Sequence, residues 1–121
     1  MVLLFLATGA YMIFSFPELY SGREEVRMMF RASHIYLLFA ALINLMAANV
    51  RTSDRKGKHG LAFNLSSGLI IGSTILFAVA FWVEPVVYAI HRPITFWAVV
   101  SMFVGVLAHT AIGLWQSRRK A

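Results

Sequence analysis

Two stretches of this chain, Leu61 to Val83 and Ile94 to Gln116, hold no acidic or basic side chain except His109. About 20 largely apolar residues suffice to carry a helix across a hydrocarbon core of roughly 30 Å. Only helices and closed barrels satisfy their backbone groups inside lipid, and uninterrupted runs of this length select the helix. The rest of the chain agrees: 60% of its 121 residues are hydrophobic and 13% are charged, against about 45–50% and about 25% in a typical soluble domain.

Two further segments complete a set of four predicted spans, at about 2–16, 33–50, 62–83 and 94–116, in one domain covering 1–121. The opening "MVLLFLATGAYMIFSF" lacks a basic leader and has a short apolar core before Thr8, so it reads as a retained helix rather than a cleavable signal. The outer segment 22–32 is expected to continue into the second helix. "RTSDRKGKHG" carries Gly57, Gly60 and a cluster of charge, and is expected in water. Pro93 suits the first turn of the fourth helix, and Pro85 either ends or kinks the third.

Orientation follows from the basic residues. Arg51, Arg55, Lys56, Lys58, Arg118, Arg119 and Lys120 fall on one side, and Arg23, Arg27, Arg31 and Arg92 on the other with Glu18, Glu24, Glu25 and Glu84. The positive-inside rule makes both termini cytoplasmic, and Trp82, Tyr88 and Trp97 fall at the outer interface with Trp115 at the inner one. The expected fold is therefore an all-α membrane protein, a four-helix bundle running up-down-up-down, in a bacterial inner membrane. The formal charge of +6 sits at the segment ends, where it reads as lipid and topology contacts rather than a nucleic-acid surface. Absence of cysteine excludes disulfides, thiolate metal sites and thiol catalysis.

Lipid tails are as apolar as leucine, so close packing through small residues has to hold the spans together. Gly68 and Gly72 form a GxxxG pair, and Gly105 and Gly113 lie on a four-residue repeat with Ser101 and His109. These faces are expected to meet within one chain or across a dimer. Asn44, deep in the second helix, needs a polar partner, with Thr74 or a serine of the third helix as candidates.

Arg23, Arg27 and Arg31 fall four apart and His34 follows three later, so all four are expected on roughly one helical face. His34, Arg31 and Arg27 are candidates for binding an anionic headgroup, a quinone carbonyl or haem propionates. The bland alternative is arginines reaching the phosphates with Glu24 and Glu25 as helical partners. His109 is a candidate haem ligand, but helices 2 and 4 run the same way and the two histidines differ in depth by about 18 Å at 1.5 Å per residue. One haem cannot join them. His34, His91, Glu84 and Glu18 form the alternative set, suited to a divalent metal.

No nucleophile triad, phosphate loop or HExxH is present, and no Asp, Glu, Lys or Arg lies deep in a span. The leading expectation is a small non-enzymatic membrane protein working by helix association, with itself or another membrane protein in the bilayer. The alternatives are a haem- or metal-binding redox protein built around His34, and a dimeric small-molecule or ion transporter.

Overall fold

The computed structural model describes residues 2–49, 58–87 and 91–118. Among the described residues there are four helices: α1 Val2–Leu19, α2 Glu24–Ala48, α3 Lys58–Val87 and α4 Pro93–Arg118. Each is long and apolar enough to cross a membrane. The outward surface matches, with Leu3 81% and Phe14 79% exposed. Water would expel such a surface and hydrocarbon accepts it, so the chain has the build of an integral membrane protein. Arg51, Arg55, Lys56, Tyr88, Arg119 and Lys120, which entered the topology argument, lie outside the described residues, as does the side chain of Lys58.

Helices α1 and α3 overrun their expected ends, whereas α2 stops at Ala48, and the prolines mark both overruns. Pro17 lies inside α1, whose last turn continues to Leu19. So near the end of a helix, the missing N–H removes one bond and the ring supplies a helical φ. The chain then turns through Gly22 at φ +76, a left-handed conformation that suits glycine. The charged stretch after it forms the first turns of α2, with Arg27 N–H donating to the Arg23 carbonyl at 3.2 Å. Helix α3 passes through Pro85 to Val87 and has 30 residues, about 45 Å at 1.5 Å per residue. It therefore outreaches a core of about 30 Å, leaving its ends in the interfacial zones. Helix α4 starts at Pro93 itself.

Helix α3 packs most extensively on α4 and then on α2, while α1 leans on α2. Phe30 of α2 anchors the α1–α2–α3 junction. Its ring centroid lies 5.5 Å from Phe16, 5.2 Å from Tyr20 and 5.1 Å from Phe81, within the range of favourable edge and tilted ring contacts.

The α3–α4 seam depends on Gly105. A Cβ there would lie 3.0 Å from Ile70 Cγ1 and 3.2 Å from the Ile70 backbone nitrogen, so only hydrogen permits this approach. Gly68 and Gly72 behave differently: a Cβ on either would meet nothing within 4 Å. The reason is helical phase. The buried row of α3 runs through Ser66, Ile70, Ser73 and Phe77, and at 3.6 residues per turn Gly68 points about 180° away from it. Gly113 is half-buried.

Candidate functional site

Three polar constellations interrupt the apolar bundle. The first lies between α1 and α2. His34 stacks on Phe5 with centroids 4.0 Å apart and an interplanar angle of 14°. A Cβ on Gly9 would lie only 3.2 Å from its Cε1, so α1 presents glycine where the imidazole edge comes closest. Thr8 Oγ1 lies 2.9 Å from the Phe5 carbonyl and 2.9 Å from His34 Nδ1. A carbonyl only accepts, so the threonine proton goes to Phe5, and the ring donates from Nδ1 to the hydroxyl. That leaves Nε2 as a lone-pair acceptor. The tautomer of His34 is thus set by a helix the charge pattern of α2 does not reveal.

Beside His34 opens a cavity of about 450 Å³, lined also by Arg27, Arg31, Met12 and Pro17. Two of the three arginines grouped with His34 on sequence grounds therefore do share its surroundings. Arg23 does not line this cavity, and it precedes α2 as its N-cap residue. Glu24 serves both remaining arginines, at 3.2 Å from Arg27 and 3.4 Å from Arg31. These pairs are exposed, and each contributes little to stability. Arg27 also lies over the Phe16 ring at 5.9 Å, and its Nε is buried without a partner among the described residues. Arg27 and Arg31 give the cavity two guanidinium donors suited to an anionic or carbonyl-bearing group, while the His34 lone pair beside them suits a donor or a metal instead.

The second constellation joins α2, α3 and α4. Glu84 is fully buried. Its carboxylate accepts from the Thr95 backbone N–H at 2.8 Å, from the Thr95 hydroxyl, and from Arg92 Nε at 3.2 Å. Thr95 lies in the first turn of α4, where free N–H groups and the helix dipole favour a negative charge. Arg92 reaches on to the Ser33 hydroxyl and lies 5.6 Å above the Tyr36 ring, which stacks on Phe77 at 5.6 Å. All three of Glu84's donors come from the turn into α4, so the carboxylate acts as a clasp between helix ends. The available signal in "EPVVYAIHRP" is two opposite charges, each followed by proline, at facing ends of two apolar runs.

This clasp separates the residues considered for a metal. Glu84 is engaged by Arg92 and Thr95, His34 by Thr8, whereas His91 and Glu18 are exposed. Among the described residues no three His, Asp or Glu side chains come together in a way that would hold a metal ion.

The third constellation lies deeper, among α2, α3 and α4. His109 is 4% exposed. Its Nδ1 lies 3.3 Å from Ser66 Oγ, which donates to the Phe63 carbonyl at 2.8 Å. Here too the ring must donate from Nδ1. His109 Nε2 is buried with no partner among the described residues. Nearby, Asn44 donates both amide hydrogens, to the Ala40 carbonyl and to Thr74 Oγ1, each at 2.8 Å.

Comparison of the chain with protein-family models, with curated proteins and with solved structures finds no match.

Proposed function

We propose that this chain is a four-span protein of a bacterial inner membrane that works without catalysis, by helix association, as a homo-oligomer or as an accessory subunit of a membrane complex. One observation carries the reading. Asn64, Gly68 and Gly72, four apart, form a stripe on the side of α3 away from its buried row, Asn64 and Gly68 exposed and Gly72 half-buried, and among the described residues nothing beyond their own helix backbone and chain neighbours comes within 4 Å of either glycine's Cβ position. Asn64 is exposed about 9 Å along α3 from its first residue. A small-residue stripe with an amide at one end suits close approach by another helix, the amide supplying a hydrogen bond across the interface.

The up-down-up-down arrangement is part of this proposal and draws on the pairings. Along α1 and α2, Thr8 meets His34 while Phe16 meets Phe30. Along α3 and α4, Ser66 meets His109, Ser73 meets Met102, and Glu84 meets Thr95. Numbers climb on one helix as they fall on its neighbour, as antiparallel spans require. Basic-residue bias then favours cytoplasmic termini, with the Glu84 clasp and the His34 cavity toward the outer face.

Gly68→Ile tests the association. Because nothing among the described residues occupies that space, the monomer should keep its helical fold while the oligomer, or the adduct with a host subunit, is lost in mild detergent. Unchanged assembly with an intact fold would refute the proposal.

The His34 cavity favours a second reading, a haem- or metal-binding redox protein in which His34 Nε2 is the ligand and Arg27 and Arg31 hold anionic groups. A metal-ligating histidine is oriented by donating its other ring N–H to an oxygen acceptor, the role the Thr8 hydroxyl takes toward His34 Nδ1. Under this reading purified protein carries a visible band or bound metal that His34→Ala removes and His109→Ala spares. A colourless, metal-free wild type excludes it.

A further inference from the structure

The unpartnered nitrogen of His109 points to a ligand site that neither association nor the outer cavity explains. The imidazole is 4% exposed, and its Nε2 is without a partner among the described residues. A buried polar atom left unsatisfied costs about 1–3 kcal/mol. His109 borders two adjoining cavities, of about 280 and 180 Å³, which share Ala47 and Ile70 as walls. Asn44 lines the larger one.

The hydrogen-bond directions decide what can bind. Ser66 has already given its proton to Phe63, so His109 Nδ1 carries the ring hydrogen and Nε2 offers a lone pair. Asn44 has both amide hydrogens engaged, so only its carbonyl oxygen remains to be offered. The fixed polar groups are therefore both acceptors. Ser67 also lines the cavity, and its hydroxyl rotates to donate or accept as the occupant demands. Among the described residues no lysine or arginine lines either cavity. Thr110, in the smaller cavity, has its hydroxyl proton on the Val106 carbonyl at 2.7 Å and so offers only lone pairs; the rest of the described wall is apolar, and the Phe63 ring lies 4.4 Å from the imidazole, tilted by 39°.

We propose that this cavity binds the hydroxylated ring of a lipid-soluble aromatic alcohol, with the hydroxyl donating to His109 Nε2. The walls accept a flat apolar ring, and acceptors without a fixed donor among the described residues select the reduced, hydroxyl-bearing form over its carbonyl counterpart. The volume fits a single substituted ring. Because the surrounding helices turn apolar side chains outward, the ligand arrives through the hydrocarbon.

The test uses three probes of nearly one shape: tetramethylhydroquinone, tetramethylphenol and tetramethylbenzoquinone, which carry two, one and no hydroxyl donors. The full chain, labelled with 15N-histidine and reconstituted in lipid nanodiscs, is titrated with each while the His109 Nε2 resonance is followed by NMR. The hydroquinone is expected to shift that resonance and to bind about tenfold or more tightly than the quinone, the factor that one hydrogen bond to a buried acceptor supplies. A phenol weaker than the hydroquinone assigns the site to a quinol that also uses Asn44. A phenol equal to it assigns a monohydroxyl ligand, and both outcomes support the proposal. His109→Phe should abolish hydroquinone binding with helix content unchanged; the wild-type titration decides the matter should that variant fail to fold. Equal binding of quinone and hydroquinone, or an Nε2 resonance that neither one moves because water alone fills the cavity, overturns it.

Discussion

Removing Arg92 should strand the carboxylate of Glu84 in the bundle. Glu84 is fully buried, whereas the Arg92 side chain is 21% exposed, with Nε 3.2 Å from Oε2. At a charge separation of about 4 Å and an effective dielectric near 20, the attraction is about 4 kcal/mol, reduced by the wetter side of the guanidinium. Arg92→Met removes it and leaves the carboxylate with only the two Thr95 donors. Loss of one partner from a buried pair costs about 3–5 kcal/mol, and the Ser33 bond goes with it. Glu84→Gln keeps the shape but turns an amide nitrogen toward the Thr95 N–H or Arg92 Nε, which only donate, for an expected loss of about 2–3 kcal/mol. If the clasp is one coupled unit, the double variant should cost less than the two single losses together, by about 2 kcal/mol. Reversible unfolding by dodecyl sulfate in mixed micelles, followed by circular dichroism, measures all four corners of the cycle. Additivity within about 0.5 kcal/mol would mean that Glu84 and Arg92 act independently, and the clasp would be wrong.

Gly105→Ala should destabilise the fold by about 1–3 kcal/mol, because its methyl meets the Ile70 backbone as well as flexible atoms; Gly68→Ala, with open space around it, should leave monomer unfolding unchanged in the same assay. Thr74→Val should cost about 0.6–1.7 kcal/mol, the range for polar contacts between membrane helices, by depriving Asn44 of an acceptor. Single cysteines at positions 21 and 58 of this cysteine-free chain report orientation. An impermeant maleimide applied to intact cells should label Ser21→Cys and spare Lys58→Cys, and the reverse pattern would invert the topology.

Part of this architecture is legible in the sequence alone. Long runs without charge announce spans whatever their neighbours are, because the solvent imposes the pattern. Arg27, Arg31 and His34, spaced four and then three residues apart, line one cavity because their spacing describes a single helix. What remained hidden were matters settled by a second helix. His34 finds its partner in Thr8 of α1, an ordinary threonine in an apolar run. Glu84 looked like a metal ligand at the outer edge, but its partners lie across the turn into α4. Glycine spacing marked both seams alike, although only helical phase against the buried row distinguishes the occupied Gly105 from the open Gly68 and Gly72. Asn44 and Thr74 were the exception: a deep amide has so few partners in a span that a candidate acceptor on α3 was identifiable from sequence.

The central claim is that the uncovered face of α3 is where this protein meets another helix, and disulfide trapping in native membranes tests it most directly. Cysteines at Gly68 or Gly72, at normal expression, should oxidise to a cross-linked dimer; in the accessory-subunit form, a bifunctional maleimide reagent should give one discrete adduct with a host subunit. Cysteine at Ser73, on the buried row, should give neither product. Cross-linking confined to helices other than α3, or none at positions 68 and 72 while exposed Ser21→Cys still reacts, would contradict the account.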